Sequence, residues 1–181
     1  GVLIASVGDA LTEQLDKALP ILLERLLNEI TRLTAVRAFE AIASSALALK
    51  LEATIPALLS ELTSYLRKNN RMLRQASLLA LGALTRQHAQ SLTGAQMREV
   101  VVEVAPILSD KDLRLSASAL QLLLALVQAD AAKVGPLIAE HVMGPFLALL
   151  ASPLLQGAAI ARMQDLLRGA VSMGAAGLPF E

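Results

Sequence analysis

Residues 24–45 contain the sequence ERLLNEITRLTAVRAFEAIASS, in which two apolar helical patterns lie on either side of a short polar segment. Before the polar segment, leucines recur at the three- and four-residue spacing of one helical face. After it, Val36, Phe39 and Ile42 follow the same spacing. The stretch therefore predicts one helix over about residues 11–27 and a second over about residues 32–45, joined by turn 1 (residues 28–31).

The same arrangement recurs three more times along the chain. Leucines enter the predicted turns at intervals of 39, 42 and 42 residues, at Leu27, Leu66, Leu108 and Leu150. Twelve positions after these leucines lie Phe39, Leu78, Leu120 and Arg162, each preceded by a small residue. Periods near 40 residues with two helices per unit are typical of HEAT and armadillo repeats. The sequence therefore predicts an all-α fold, a HEAT-repeat α-solenoid (armadillo-like superhelix) of about four helical pairs plus a partial N-terminal unit.

A single continuous array over residues 1–181 is predicted, because no Pro/Ser-rich linker or charge block separates the units. Residues 1–8 are expected to end a preceding repeat and residues 175–181 to fray. The helical pairs are expected at residues 9–46, 51–88, 94–129 and 133–174. Within the last three pairs, helices are expected over about 52–67, 71–87, 94–108, 113–128, 136–151 and 155–172, leaving turn 2 (68–70), turn 3 (109–112) and turn 4 (152–154). Since residue 1 is Gly rather than Met, we expect a piece of a longer protein.

Composition restricts both the core and the function. Hydrophobic residues make up 55% of the chain but aromatic residues only 2%, so Leu, Ala, Ile and Val must build the core. Lys plus Arg and Asp plus Glu number 16 each, which provides no field to hold a nucleic-acid backbone. The absence of cysteine excludes disulfides and cysteine-based catalysis or metal sites. It is compatible with an intracellular location, and no signal peptide is visible.

One uncharged stretch, residues 142–161, is long enough to cross a membrane. However, glycines and prolines divide it, and Pro153 would break a continuous helix at a point where the repeat predicts a turn. We therefore predict two buried solenoid helices and no membrane interaction.

The residue types needed for catalysis do not form recognisable motifs. His88 and His141 belong to no metal-binding or catalytic pattern, and the glycines form no phosphate-binding loop. Glu99 and Glu103 lie one helical turn apart, which indicates a solvated face more than a metal site. We predict no catalytic, cofactor-binding or metal-binding residues and no small-molecule substrate. The alternative, an all-α enzyme or lipid-binding domain, would require a deep pocket with convergent polar groups.

A cluster of basic residues surrounds turn 2. This basic ridge consists of Arg67, Lys68, Arg71 and Arg74, with Asn69 and Asn70 between them. Such a cluster could contact an acidic protein partner. The competing interpretation is that an exposed turn is simply polar.

The segments around the turns also resemble a known family. In addition to residues 24–45, they are LRKNNRMLRQASL (66–78), LSDKDLRLSASAL (108–120) and SPLLQG (152–157). In this order and spacing they resemble an internal stretch of the cullin-associated, neddylation-dissociated proteins, over about residues 8–170. NEITRL and SPLLQG are the most specific segments, and LRKNNRMLRQ is most similar to the plant and algal branch.

The resemblance implies a non-enzymatic HEAT protein of the cytoplasm and nucleus that wraps around unneddylated cullin–RING scaffolds. Members of this family promote exchange of the substrate-receptor modules of these ubiquitin ligases. Because no hairpin-like insertion is present, the resemblance implies a curved spacer rather than the element that decides exchange. The alternative is a HEAT scaffold or transport adaptor for other protein partners.

Overall fold

The computed structural model describes residues 4, 6, 12–45 and 51–172. Over these residues the chain is helical and contains no strand, which confirms the all-α prediction. The helices are α1 (Thr12–Leu27), α2 (Arg32–Ala43), α3 (Ile55–Tyr65), α4 (Arg71–Gln87), α5 (Gly94–Val104), α6 (Leu113–Ala129), α7 (Ala131–Leu137), α8 (Met143–Leu150) and α9 (Ala158–Ser172). The predictions for residues 1–8 and 175–181 lie outside the described residues, except that Ile4 and Ser6 are helical.

The chain forms two compact units, residues 1–91 and 92–181. In the first unit, α2 and α3 both pack on α4, and α1 packs on α2 and α3. Its core is made of side chains that are nearly inaccessible to solvent: Leu26, Val36, Phe39, Ile42, Leu58, Leu62, Leu78, Leu81 and Leu84. The single continuous array stays a prediction.

In the second unit, α6 is the central helix and packs most extensively on α9. The core again consists of aliphatic residues: Val101, Val104, Leu120, Leu123, Leu126, Val134, Val142 and Leu166. A Cβ atom on Gly169 of α9 would lie 2.5 Å from Leu124 Cδ1 of α6. The absence of a side chain at Gly169 therefore allows the two helices to approach closely.

Prolines and caps shift several helix ends from their predicted positions. Helix α7 begins at Ala131 rather than residue 136, because the Asp130 carboxylate accepts a hydrogen bond from the Lys133 amide (3.1 Å) and caps the helix. Pro136 therefore lies inside α7, just before the π-helical segment Ile138–Val142. Helix α5 ends at Val104 rather than residue 108, since Pro106 lacks the amide that would continue the helical hydrogen bonds.

The starts of two further helices also differ from their predicted positions. Helix α3 begins at Ile55 rather than residue 52, and Pro56 lies in its first turn, where a missing amide is tolerated. Helix α9 begins at Ala158 rather than residue 155, after Gly157 with its positive φ of 62°. The helices on either side of turns 1 and 2 are otherwise within three residues of their predicted ends.

The predicted break in residues 142–161 is confirmed: α8 ends at Leu150, and no helix is present until Ala158. Among the described residues, one helical stretch, Ala131–Leu150, is long and apolar enough to cross a membrane. An 18-residue window of this stretch has a mean hydropathy of 1.2, and 33% of that window is buried. Length and composition are weak evidence for a membrane span, because the core helix of a soluble protein has the same properties.

The position twelve residues after each turn-entering leucine has the same environment in the first three repeats. Phe39, Leu78 and Leu120 are each 1% exposed or less. Arg162, in the fourth repeat, is instead half-buried and pairs with Asp165 at 2.9 Å. The repeat observed in the sequence therefore marks a core position three times and a surface position once.

This difference predicts unequal effects on stability. Leu120→Ala should lower the free energy of unfolding by about 2–5 kcal/mol, because it leaves a cavity in a fully buried site. Arg162→Ala, the matched control, should cost less than about 1 kcal/mol, since its ion pair is partly solvated. Urea denaturation followed by circular dichroism measures both; equal losses would contradict the assignment of these positions.

Candidate partner-binding surface

The carbonyl groups at the end of α1 accept hydrogen bonds from side chains of turn 1 and of the first residue of α2. Arg32 donates from Nε to the Leu26 carbonyl (2.9 Å) and from Nη2 to the Leu27 carbonyl (3.1 Å). The Thr31 hydroxyl donates to the Arg25 carbonyl (2.9 Å). The last carbonyls of a helix have no partner within the helix, and a cation is favoured at that end. The end of α1 is thus held by three side-chain hydrogen bonds, one from Thr31 of turn 1 and two from Arg32 of α2.

Tyr65, the last residue of α3, contacts the end of α1 and the start of α2. Its hydroxyl donates to the Leu26 carbonyl (2.8 Å), and the Arg32 guanidinium lies 5.1 Å from the centre of its ring. The Tyr65 side chain is 2% exposed. Burial, and to a smaller extent the Glu61 carboxylate, raises the pKa of Tyr65 to about 12. The neutral phenol is therefore the form that the fold stabilises.

The basic ridge lies where the sequence predicted it. Arg67, just before turn 2, and Lys68, in turn 2, are exposed. Arg71 is the exposed first residue of α4, and Arg74 in the same helix is half-buried. The Asn70 side chain accepts a hydrogen bond from the Leu73 amide (3.0 Å) and caps α4. The ridge is thus attached to a defined helix start. Its role in binding stays a prediction.

A cleft of about 270 Å³ separates turn 1 from turn 2. It is lined by Glu29, Arg32, Leu33, Lys68, Asn69, Asn70 and Leu73. Lys68 is the member of the basic ridge that lines this cleft, whereas Arg67, Arg71 and Arg74 lie outside its lining. The cleft therefore brings one predicted residue together with Glu29 and Arg32, which the sequence did not single out.

Two large apolar side chains, one in turn 1 and one at the end of α1, are exposed. Ile30 is 91% exposed and Leu27 is 63% exposed. The Asn28 side chain accepts a hydrogen bond from the Ile30 amide (3.0 Å) and fixes the turn locally. Sequence reasoning missed both residues as contact candidates. The available signal was an isoleucine within the otherwise polar turn of the NEITRL segment.

The two histidines occupy separate places. His88 directly follows α4 as its C-cap, and its backbone amide donates to the Leu84 carbonyl. His141 lies in the π-helical segment, with Nε2 3.4 Å from a Glu140 carboxylate oxygen, and Glu140 in turn lies 3.5 Å from Arg98. Within the part of the chain that the structure describes, no three His, Asp or Glu side chains are grouped to hold a metal.

The stability that Tyr65 contributes through its contact with Leu26 should decrease at alkaline pH. Because the folded pKa of Tyr65 is about 12 and the unfolded value about 10, stability is complete below pH 10 and is lost as pH rises toward 12. Near neutral pH, Tyr65→Phe should cost about 1 kcal/mol by removing the bond to Leu26. Between about pH 10 and 12 the wild type should lose about 2 kcal/mol more than the variant. Guanidinium denaturation at several pH values measures the free energy of unfolding of both proteins. A constant difference between wild type and Tyr65→Phe from pH 7 to 12 would contradict this prediction.

Comparison with known proteins supports the fold and places the chain in a family. The family described as "Stalled ribosome sensor GCN1-like, HEAT repeats" matches residues 1–139. Three similar proteins are each named Cullin-associated NEDD8-dissociated protein 1. The one from Arabidopsis thaliana is 37% identical over 166 residues, covering 91% of this chain and 14% of the relative.

The other two relatives give the same picture. The Drosophila melanogaster protein is 35% identical over 181 residues, covering 99% of this chain and 14% of the relative. The Dictyostelium discoideum protein is 31% identical over 183 residues, covering 100% of this chain and 15% of the relative. The chain thus spans about one seventh of the length of these relatives. Plant and fly identities are too similar to separate branches, so the plant or algal assignment stays a prediction. The chain belongs to the HEAT-repeat family and, within it, to the cullin-associated NEDD8-dissociated proteins.

Proposed function

We propose that this chain is a segment of a non-enzymatic HEAT scaffold that binds cullin–RING ubiquitin ligase scaffolds lacking the modifier NEDD8. In that role it contributes to the exchange of substrate-receptor modules in the cytoplasm and nucleus. The observation that supports this most is the similarity to cullin-associated NEDD8-dissociated proteins over nearly the whole chain. The helical repeat provides a repeated edge of turns on which a protein can be held.

We further propose that the first unit contacts the partner through the turn 1–2 surface, defined as the cleft, the basic ridge, Leu27 and Ile30. Interfaces combine apolar anchors at the centre with a charged rim that directs association. Ile30 and Leu27 are exposed apolar side chains whose burial the fold does not need. The basic ridge lies on the next turn, in a chain whose net charge is zero, so it concentrates positive charge locally. An acidic segment of the partner fits this surface.

The proposed surface acts by binding energy alone. Burying the Ile30 side chain against a partner would contribute about 2 kcal/mol. Exposed charges such as Lys68 would contribute more to the association rate than to the lifetime of the complex. A partner covering the cleft would also reach Asn69 and Glu29, whose polar groups fix the orientation of a bound segment.

The first test uses the 181-residue chain and a purified cullin–RING scaffold, with and without NEDD8, in biolayer interferometry. We expect measurable binding to the unmodified scaffold and at least tenfold weaker binding after NEDD8 attachment. Equal binding to both forms would contradict dependence on the modifier. No binding to the unmodified form at micromolar concentrations would indicate that this segment does not contact the scaffold itself and would favour a role as a spacer.

Ile30→Ala should weaken binding to the unmodified scaffold by about tenfold, because it removes most of an exposed apolar anchor without disturbing the core. Ile21→Ala is the matched control, since Ile21 is also exposed (53%) but lies on α1 away from turn 1. A similar loss in both variants, or in neither, would contradict the assignment of turn 1 as the contact.

Replacement of Arg67, Lys68 and Arg71 by Ser should lower the association rate, and the difference from wild type should shrink at high salt because the charges act at long range. Replacement of exposed Lys17, Arg37 and Arg114 by Ser changes the net charge equally and serves as the control. If the control lowers the rate as much, net charge rather than the basic ridge is responsible.

A further inference from the structure

Turn 4 contains Ser152 followed by Pro153, and no other Ser–Pro or Thr–Pro pair occurs in the sequence. In the structure the non-helical segment around turn 4 covers residues 151–157. Pro153 is exposed, Leu154 is 59% exposed and Ser152 is half-buried. The segment therefore has little buried surface of its own, so local opening costs little free energy.

The Ser152 hydroxyl joins turn 4 to turn 3. Its Oγ donates to Asp110 Oδ2 at 2.8 Å and accepts from the Leu154 amide at 3.2 Å. Ser152 and Asp110 are 42 residues apart, which equals the interval between the leucines entering these two turns. We name this hydrogen bond the Ser152–Asp110 clasp.

The clasp depends on the hydroxyl proton and on the charge facing it. Asp110 and Asp112 lie on turn 3 with Lys111 between them, and the Asp112 side chain accepts from the Leu115 amide (3.0 Å) to cap α6. A phosphate on Ser152 would remove the donated proton and place up to two negative charges beside Asp110. Since Asp110 Oδ2 lies 2.8 Å from Ser152 Oγ, the phosphate and the Asp110 carboxylate would repel each other.

We propose that Ser152 is a phosphorylation site for a proline-directed Ser/Thr kinase and that its phosphorylation opens the Ser152–Asp110 clasp. In this step Ser152 Oγ attacks the γ-phosphorus of ATP, the new O–P bond forms, and the bond from that phosphorus to ADP breaks. The hydroxyl proton passes to a carboxylate base of the kinase. The proposal is independent of the partner, because it concerns contacts within residues 92–181 and does not require cullin binding.

Opening the clasp separates two turns that border the central helix of this unit. Turn 3 leads into α6, and turn 4 leads into α9, which packs on α6. Phosphorylation should therefore loosen the turn end of the α6–α9 pair while leaving the buried contacts of Leu120 and Leu166 in place. The expected result is a folded chain with faster backbone exchange around residues 151–157.

The test incubates the 181-residue chain with ATP and a cyclin-dependent kinase and locates phosphate by mass spectrometry. We expect phosphate on Ser152 in the wild type and in Asp110→Asn, and none on this residue in Pro153→Ala, which keeps the hydroxyl but removes the proline. Thermal denaturation should show Tm lower by about 2–4 °C after phosphorylation of the wild type. The Leu154 amide should exchange with deuterium about tenfold faster, because turn 4 is no longer held to turn 3 once the clasp is open.

Asp110→Asn separates the effect of charge from general damage to the turn. The Asn side chain can still accept from Ser152 before phosphorylation, and it carries no charge to repel the phosphate afterwards. Phosphorylation should therefore lower the Tm of Asp110→Asn by less than half as much as it lowers the Tm of the wild type. No phosphate on Ser152, or equal phosphate on Pro153→Ala, would overturn the site. Phosphate on Ser152 with unchanged Tm and unchanged Leu154 exchange would overturn the opening of the clasp.

Discussion

The carbonyl oxygen of Leu26 is the point on which the geometry of the first repeat depends. It accepts hydrogen bonds from Arg32 Nε and from the Tyr65 hydroxyl, and the Arg32 guanidinium lies over the Tyr65 ring. A helix must end with carbonyls that lack partners inside the helix, and burying them unpaired would be costly. Because Arg32 in α2 and Tyr65 in α3 supply these partners, Leu26 is buried with its carbonyl hydrogen-bonded, while Ile30 stays in solvent.

Contacts at or near the turns of successive repeats recur at the period of the repeat. Tyr65 bonds to Leu26 at a separation of 39 residues, and Ser152 bonds to Asp110 at a separation of 42. Stacked helical pairs bring equivalent turns next to each other, so a polar group on one turn can reach the equivalent turn of its neighbour. The first bond is buried and has a structural role, whereas the second is exposed and can respond to chemical modification.

The comparison of prediction with structure shows where sequence patterns are sufficient. The pattern predicted α4 at its observed bounds, because Asn70 is a strong cap and the apolar spacing is regular. It misplaced the start of α7, since Pro136 suggested a helix start while Asp130 provided the actual cap. The pattern located the basic ridge but not the Arg32–Tyr65 pair, whose hydrogen-bond acceptor lies on another helix.

By itself, the sequence determined the helical repeat, the positions of its polar turns and the resemblance to one family, because apolar spacing, helix caps and turn motifs are local properties of the chain. Only the tertiary structure decided which side chains at the turns are buried partners and which are exposed. Thus Tyr65 became a buried link, Ile30 an exposed apolar residue and Ser152 a contact to Asp110. The reason is that each outcome depends on a group about one repeat away or on a neighbouring helix. A local sequence pattern does not show which of these distant groups come into contact.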